Sequence, residues 1–379
     1  MNQKDIYFGQ KDISDYYHII TKTTTKEEPD SLISKSLGPF VTPLIYPGYA
    51  LVTGFIAGLA ANVSFYTYRS DSAKISSILF SNVYSQYNQL FSFINSDIWT
   101  YHEKYNFIGE WGYYKFPTNT YGLGSQSSFA DVTPVDYKQV RVYEVALRKI
   151  TSNFGLGIGY NLDYHWKINA DTLPGFEDED LNDYPLSSTS TSSGFTLNMQ
   201  YDNRLNSNNP INGNYLNVQY RDNVTWLGST NSWQSLLIDA RHYFKLSPKS
   251  DNVLALWTYD WLTLKGLPPY FDLPTIGGDQ YNSTGRSYAL GRYRGLNLLY
   301  AEAEYRFRIT KDDFVGGVLF SNVAAFSNYP DNKFNGVNPG IGTGLRIKMN
   351  KKSGTNLCID YSIGADGSKG FAFNLNEVF

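Results

Sequence analysis

The side chains best suited to chemistry in this 379-residue chain are thinly and irregularly placed. Four histidines, His18, His102, His165 and His242, lie far apart and form no metal-ligand spacing. Cys358 is the single cysteine, so no intrachain disulfide can form. The segment 169–193 carries Asp171, Glu177, Asp178, Glu179, Asp180 and Asp183. Carboxylates of this kind can hold Ca²⁺ through oxygen, but their spacing does not match an EF-hand loop, and they read as a solvated acidic loop. A lipase would need a Ser/His pair braced by a third group. Ser and Asn are so abundant that a match to any of these histidines carries no information. The run Trp257-Thr-Tyr-Asp-Trp261 suits either carbohydrate stacking or an aromatic girdle. No enzyme activity, metal or cofactor is expected from these residues. The net charge of -3 gives no footprint for nucleic acid.

The elements around these residues say more. Tyr (32), Phe (23) and Trp (7) make up 16% of the chain, while charged residues make up only 18%. A soluble domain carries about 25% charged residues. Mean hydropathy is nevertheless negative, at -0.36. Aromatic-rich, charge-poor and polar on average is the composition of a transmembrane barrel, with an apolar outer face and a wet inner one. The best helical span, Ala50–Ala61, is shorter than the roughly 20 apolar residues a crossing needs, and Pro47-Gly48 interrupts it. Its period-two pattern reads as a strand instead.

Alternation recurs along the chain. In Leu299–Ile309 one face is Leu299, Ala301, Ala303, Tyr305, Phe307 and Ile309, and the other holds Glu302, Glu304, Arg306 and Arg308. Such charges cannot face lipid and must point into a polar interior. The pattern predicts strands at 41–47, 50–68, 73–86, 89–101, 104–116, 137–150, 153–168, 194–204, 213–224, 232–246, 252–265, 296–309, 313–327, 338–349, 354–365 and 369–379. About 16 antiparallel strands closed into a barrel remove every unpaired edge. The long connections 117–136, 169–193, 266–295 and 328–337 all fall on one side, so both termini are expected on the periplasmic side of a Gram-negative outer membrane. The chain opens MNQKDIYFGQKD, without a basic stretch and apolar run, so a mature or recombinant start is expected for an exported protein. Residues 1–40, with TKTTTKEEPDS, read as a polar periplasmic segment: a flexible tail, or a short helix or strand inside the lumen. The barrel is expected over 41–379.

Two segments carry a family resemblance. Tyr201–Arg221, with Asp202, Arg204, Pro210 and Gly213, is a polar hairpin. Phe271–Ile309 reads FDLPTIGGDQYNSTGRSYALGRYRGLNLLYAEAEYRFRI. Together they resemble the barrel of the BamA/TamA superfamily, also called the bacterial surface antigen family. The resemblance implies that the 266–295 loop folds into the barrel as a lid and that its arginine pairs with acids on neighbouring strands. Arg286, in the motif Arg286-Ser287-Tyr288, matches that arginine, with Ser287 where the family has glycine; Arg294 is the competing match. Glu304 or Glu302 is the implied lumen partner, and Gly277 and Gly278 the implied turn into the lid. On the next strand Asn322 and Ala324 stand where the family often has an acid and a glycine. The ending GFAFNLNEVF, with Phe371, Phe373, Leu375 and terminal Phe379 alternating, resembles the family's C-terminal strand signal.

The resemblance also implies a non-enzymatic outer-membrane component, in contact with membrane lipid, that helps insert or translocate proteins or lipids. A seam between first and last strands is implied, with Gly48, Gly54 and Gly58 near its start. Members that carry out assembly have periplasmic POTRA domains before the barrel. Forty residues are too few for one, so a short member lacking POTRA domains is expected, with a periplasmic or outer-membrane protein partner supplying their function. A stand-alone channel and a scaffold subunit are the other readings.

Overall fold

The computed structural model describes residues 10–21, 37–50, 53–69, 73–170, 184–247, 250–280, 282–351 and 353–379. The acidic residues Asp171 to Asp183, and all but the first residue of TKTTTKEEPDS, lie outside them. The described chain forms one helix, α1 (Ile13–Thr21), and one 17-stranded sheet. The strands are β1 (Phe40–Ala50), β2 (Gly54–Phe65), β3 (Ser76–Ser85), β4 (Leu90–Trp99), β5 (Tyr105–Lys115) and the short β6 (Thr118–Thr120). Then come β7 (Thr133–Lys149), β8 (Phe154–Ala170), β9 (Thr189–Asp202), β10 (Gly213–Asn223), β11 (Trp233–Ser247) and β12 (Ser250–Gly266). The series closes with β13 (Asn297–Arg308), β14 (Val315–Phe326), β15 (Asn338–Asn350), β16 (Thr355–Gly364) and β17 (Lys369–Leu375).

Each strand pairs antiparallel with the next, except that β5 passes over β6 to pair with β7, whose far end β6 extends. The result is a transmembrane barrel. The long connections after β5, β8, β12 and β14 leave from one end, and the short turns after β7, β11, β13 and β15, with the end of β17, lie at the other. β1 and β17 come within contact distance of each other. Among the described pairings no ladder of backbone hydrogen bonds joins them. This is the seam.

Alternation decides which way each strand faces. Along β13, Leu299 is exposed, while Tyr300, Glu302, Glu304 and Arg306 are buried inside. Phe55 and Leu59 on β2, Leu197 on β9 and Leu319 on β14 all lie exposed on the outer wall. Period-two geometry puts every second side chain on the same face. A lipid-facing apolar row therefore forces the intervening polar row into the lumen. Trp257 and Tyr259 are not girdle residues; they point inward and are buried. Register places Trp257 opposite Glu302 and Arg241, both on lumen-facing rows.

A correction concerns the last strand, which stops at Leu375 rather than continuing to Phe379. Asn376 takes a left-handed backbone with φ 71°, and the chain turns into the lumen. A short polar side chain tolerates that conformation better than most.

The N-terminal segment contributes α1, docked at the short-turn end. The Asp12 carboxylate accepts from the Ser14 and Asp15 amides at 3.1 and 3.3 Å, and the Asp15 carboxylate accepts from the Asp12 amide at 2.9 Å. This reciprocal cap satisfies amides a nine-residue helix would leave bare. Lys351 pairs with Asp15 at 2.8 Å, and the Tyr16 hydroxyl donates to Asp312 at 2.7 Å. The helix thereby sits on the turns after β13 and β15.

An arginine at Leu319 would place a charge on the lipid face of β14. The expected cost is about 2–4 kcal/mol near the bilayer midplane. Urea unfolding of Leu319→Arg in lipid vesicles, followed by band shift on unheated gels, measures it.

Candidate functional site in the barrel lumen

The lid, 267–296, leaves β12 and folds back into the lumen before β13. Its two limbs clip together. Thr275 and Arg294 form an isolated antiparallel bridge, and the Ile276 amide donates to the Tyr293 carbonyl at 2.9 Å. At the tip, Asp279 accepts from the Ser283 and Thr284 amides at 2.8 and 2.7 Å. Of the two glycines expected to make the turn, Gly277 has the left-handed backbone, φ 68°. Gly278 does not, but a Cβ there would lie 2.9 Å from the Thr275 carbonyl oxygen. Gly285, which sequence reading passed over, also has φ 68° and donates its amide to the Tyr300 hydroxyl at 3.0 Å. That contact sets the backbone immediately before Arg286.

Arg286 lies buried at the middle of the lumen. Its Nη1 donates to Asp360 Oδ2 at 2.7 Å. Its Nη2 donates to Glu304 Oε2 at 2.5 Å and also to Glu302. The Phe320 ring lies 3.7 Å from the guanidinium centre, covering its flat face. Burying an unpaired guanidinium would cost many kcal/mol, so the carboxylates are a condition of its being there. A planar fork meeting carboxylates on two walls also fixes the lid's direction, which a lysine's single ammonium could not do.

The carboxylates are themselves held. Arg306 donates to Glu304 Oε1 at 2.5 Å, and Arg346 donates to Asp360 Oδ1 at 2.5 Å and to Glu377 Oε2 at 2.7 Å. The Tyr300 hydroxyl donates to Glu302. The network runs from the lid, through β13, β15 and β16, to the residues beyond β17. Glu377 reads in the sequence as a break in an apolar face. It is a lumen carboxylate, and Phe379 beside it stacks on Trp257 with ring centroids 5.0 Å apart. Arg306 also donates to the main-chain oxygen of Phe379 at 2.8 Å.

Arg294, the competing arginine, reaches no carboxylate among the described residues. It donates to the carbonyls of Tyr270 and Leu273 at 2.9 and 3.4 Å and braces the lid against itself. Arg292 does a third job. It donates to the Ser127 carbonyl at 2.7 Å and to Asp366 at 2.8 Å, tying the lid to two other loops. Ser287 is fully buried, and its carbonyl accepts from the Ser368 hydroxyl at 2.7 Å. The Tyr288 hydroxyl accepts from the Ala365 amide at 2.9 Å and donates to the Pro339 carbonyl. Asn322 lies buried on β14 with neither side-chain amide atom hydrogen-bonded. Asp360 on β16, which sequence reading did not single out, supplies the acid from two strands away. Its inward parity, two residues before Ser362 and two after Cys358, was the available signal.

Space for the lid comes from β15. A Cβ at Gly340 would meet Ser287 Oγ at 2.3 Å, one at Gly342 would meet the Phe320 ring at 2.3 Å, and one at Gly344 would meet Asp360 Oδ1 at 1.9 Å. Three inward positions without side chains make a groove for the motif and its partners. Below the lid a cavity of about 540 Å³ remains, lined by Arg204, Arg241, Asn198, Gln219 and Asp279, and by Phe379 on one side.

This architecture has counterparts. The Omp85 superfamily domain model matches residues 60–379. The chain belongs to the Omp85 superfamily. Its barrel is an outer-membrane barrel. Among solved structures, BamA from Haemophilus ducreyi lacking POTRA domains 1–3 is similar, with a TM-score of 0.60 at 14% identity over 90% of this chain and 70% of that one. CdiB from Acinetobacter baumannii gives a TM-score of 0.53 at 14% identity over 89% of this chain and 64% of that one. CdiB from Escherichia coli gives 0.59 at 9% identity over 88% and 61%. The chain thus spans under two thirds of either CdiB. At these identities the likeness shows the fold alone. No curated protein matches the sequence.

Arg286→Ala would leave Glu302 with no cation and destabilise the folded barrel by about 3–5 kcal/mol. Arg286→Lys should recover part of that loss. Arg294→Ala, which loses bonds to carbonyls and a contact with the Tyr270 ring but no ion pair among the described residues, should cost less, about 1–3 kcal/mol. Denaturant titration of the three variants in the same detergent ranks them.

Proposed function

We propose that this Omp85 barrel is a non-enzymatic outer-membrane component that assists the insertion or translocation of proteins or lipids, working as a subunit of a larger complex. The short-turn end, with α1, faces the periplasm in this reading and meets a protein partner there. One observation carries it above others. The lumen is occupied by an ion-paired lid, while β1 and β17 approach without a ladder among the described pairings. A barrel plugged along its axis and weak along one side suits lateral exchange with the bilayer better than conduction through the middle. Unpaired strand edges in lipid cost several kcal/mol per group and are the natural place for another strand to add.

Arg286, Glu302, Glu304 and Asp360 act in this reading as the clamp that keeps the lid inside while the seam works. Arg286 is a positioning residue, as are Gly277 and Gly278. Phe379 has no part in the clamp; whether residues 369–379 also serve as an assembly signal is a separate proposal.

The native tagged protein, purified in gentle detergent, is expected to bring a stoichiometric partner with it. Its depletion is expected to lower the amounts of other barrels or of surface lipid. In planar bilayers it should show almost no steady conductance, with Arg286→Ala giving open-pore currents. Large steady currents from the unmutated protein, unchanged in Arg286→Ala, would sink the proposal in favour of a channel. A partner without any loss on depletion would leave only a scaffold.

A further inference from the structure

The lid is held at a second place, and the chemistry there differs from that around Arg286. Where the lid leaves β12, Tyr270–Asp272 makes a single 3-10 turn. This turn presses Asp272 against the wall near the long-loop end. The Asp272 carboxylate accepts from the Ser192 hydroxyl at 2.6 Å. The Trp233 indole in turn donates to the Ser192 oxygen at 3.1 Å. The other carboxylate oxygen faces His165 Nδ1 at 3.9 Å, beyond hydrogen-bond reach. Among the described residues His165 Nδ1 has no hydrogen-bond partner. Asp272, Ser192 and His165 are 6%, 0% and 1% exposed, so all three are shut off from bulk solvent.

The cations nearby are already engaged. Arg221 donates to Asp163 at 2.9 Å and Arg141 to the same carboxylate at 3.1 Å; the Tyr143 hydroxyl donates to it at 2.6 Å. Arg294 on the lid is spent on the Tyr270 and Leu273 carbonyls. Tyr137 on β7 stacks on Phe271, and Tyr184 packs edge-on against Tyr270. Among the described residues, the titratable and charged groups packed around Asp272 are therefore Asp163 and His165 on β8, Arg141, Tyr137 and Tyr143 on β7, Arg221 on β10, and Arg294, Tyr270 and Tyr184 from the loops. Two acids share this space, and the arginines serve Asp163.

We propose that Asp272, with Ser192 and His165, is a proton-operated latch that fastens the entry limb of the lid to the wall and loosens when the carboxyl ionises. Nothing in the Arg286 clamp depends on it, so the limb can be freed while the lid's centre stays paired. Burial, and then the charge of Asp163, push the Asp272 carboxyl up from 3.8 to about 7. A limb lifted into water would return it to its ordinary value. The docked form therefore holds its proton to a higher pH than the lifted form. Docking is strongest below about pH 4, where both forms are neutral, and weakens as pH rises towards about 7, with no further loss above that.

Hydrogen exchange of the full chain in lipid nanodiscs, measured from pH 5 to pH 8 and corrected for intrinsic rates, reads the latch directly. One unit of pKa difference is a factor of ten in an equilibrium. Opening of amides 270–276 should rise about tenfold or more across this range, while amides 285–288 change little. Asp272→Asn keeps an acceptor for Ser192 and should flatten the profile. Ser192→Ala removes the one hydroxyl that favours the ionised form and should move the midpoint to higher pH. It also serves as the test if Asp272→Asn does not fold. A flat profile in the unmutated protein overturns the latch, as does a slope that survives Asp272→Asn or a midpoint unmoved in Ser192→Ala. A slope abolished by His165→Gln but not by Asp272→Asn would assign the proton to the imidazole, and so would overturn it too.

Discussion

A guanidinium cannot be left bare inside a barrel. Arg286 sits where neither water nor lipid headgroups reach, and its charge is tolerable only because Asp360, Glu302 and Glu304 converge on it. Those acids repel one another, so Arg306 and Arg346 are needed between them. Once this set is in place, the inward faces of β13 and β16 have little freedom. The lid's backbone must pass within reach of both walls, and β15 must be thin where it passes. Gly340, Gly342 and Gly344 follow from that need, as does the Phe320 ring that closes the cation's open face.

The same constraint explains why the lid has three arginines with separate duties. Arg286 fastens it to the walls, Arg292 to the loops at 127 and 366, and Arg294 to its own opposite limb. Only the first is in a dry ion cluster. The other two use carbonyls and a half-exposed acid, Asp366, so they add direction more than charge compensation. Asp272 falls outside this scheme, since the available cations are committed elsewhere.

Much of this was legible because lipid is an unforgiving solvent. Four charges on one face of 299–309 admit one orientation, and β13 takes it. Strand positions could be read from period two, and most bounds fall within a few residues of the structure. The BamA/TamA resemblance offered two arginines, and the environments separate them: Arg286 meets acids and Arg294 meets carbonyls. Other features were hidden for identifiable reasons. Asp360 is remote in sequence, and parity shows that it points inward without showing which cation it meets. The end of β17 lies before the predicted one because an apolar residue returns in phase at Phe379 after the break at Glu377; the pattern cannot register that Asn376 bends the chain inward. The Trp257 run stayed open between two readings because an aromatic serves equally at a girdle or in a packed lumen, and only register distinguishes them. Gly285 gave no signal, since its left-handed backbone is visible only once the tip is built.

The lid's position has a consequence for how the parts of the barrel depend on one another. Arg286 is enclosed by side chains from β13, β14 and β16, with β15 thinned to glycine beside them. Arg286 and Asp360 stand 74 residues apart in the chain. Contacts of such separation are costly in chain entropy, because long loops must close before they are rewarded. Lid and wall are thus tied into one piece, as a kernel in its shell, and the inward turn at Asn376 is keyed to the same piece through Arg346 and Trp257.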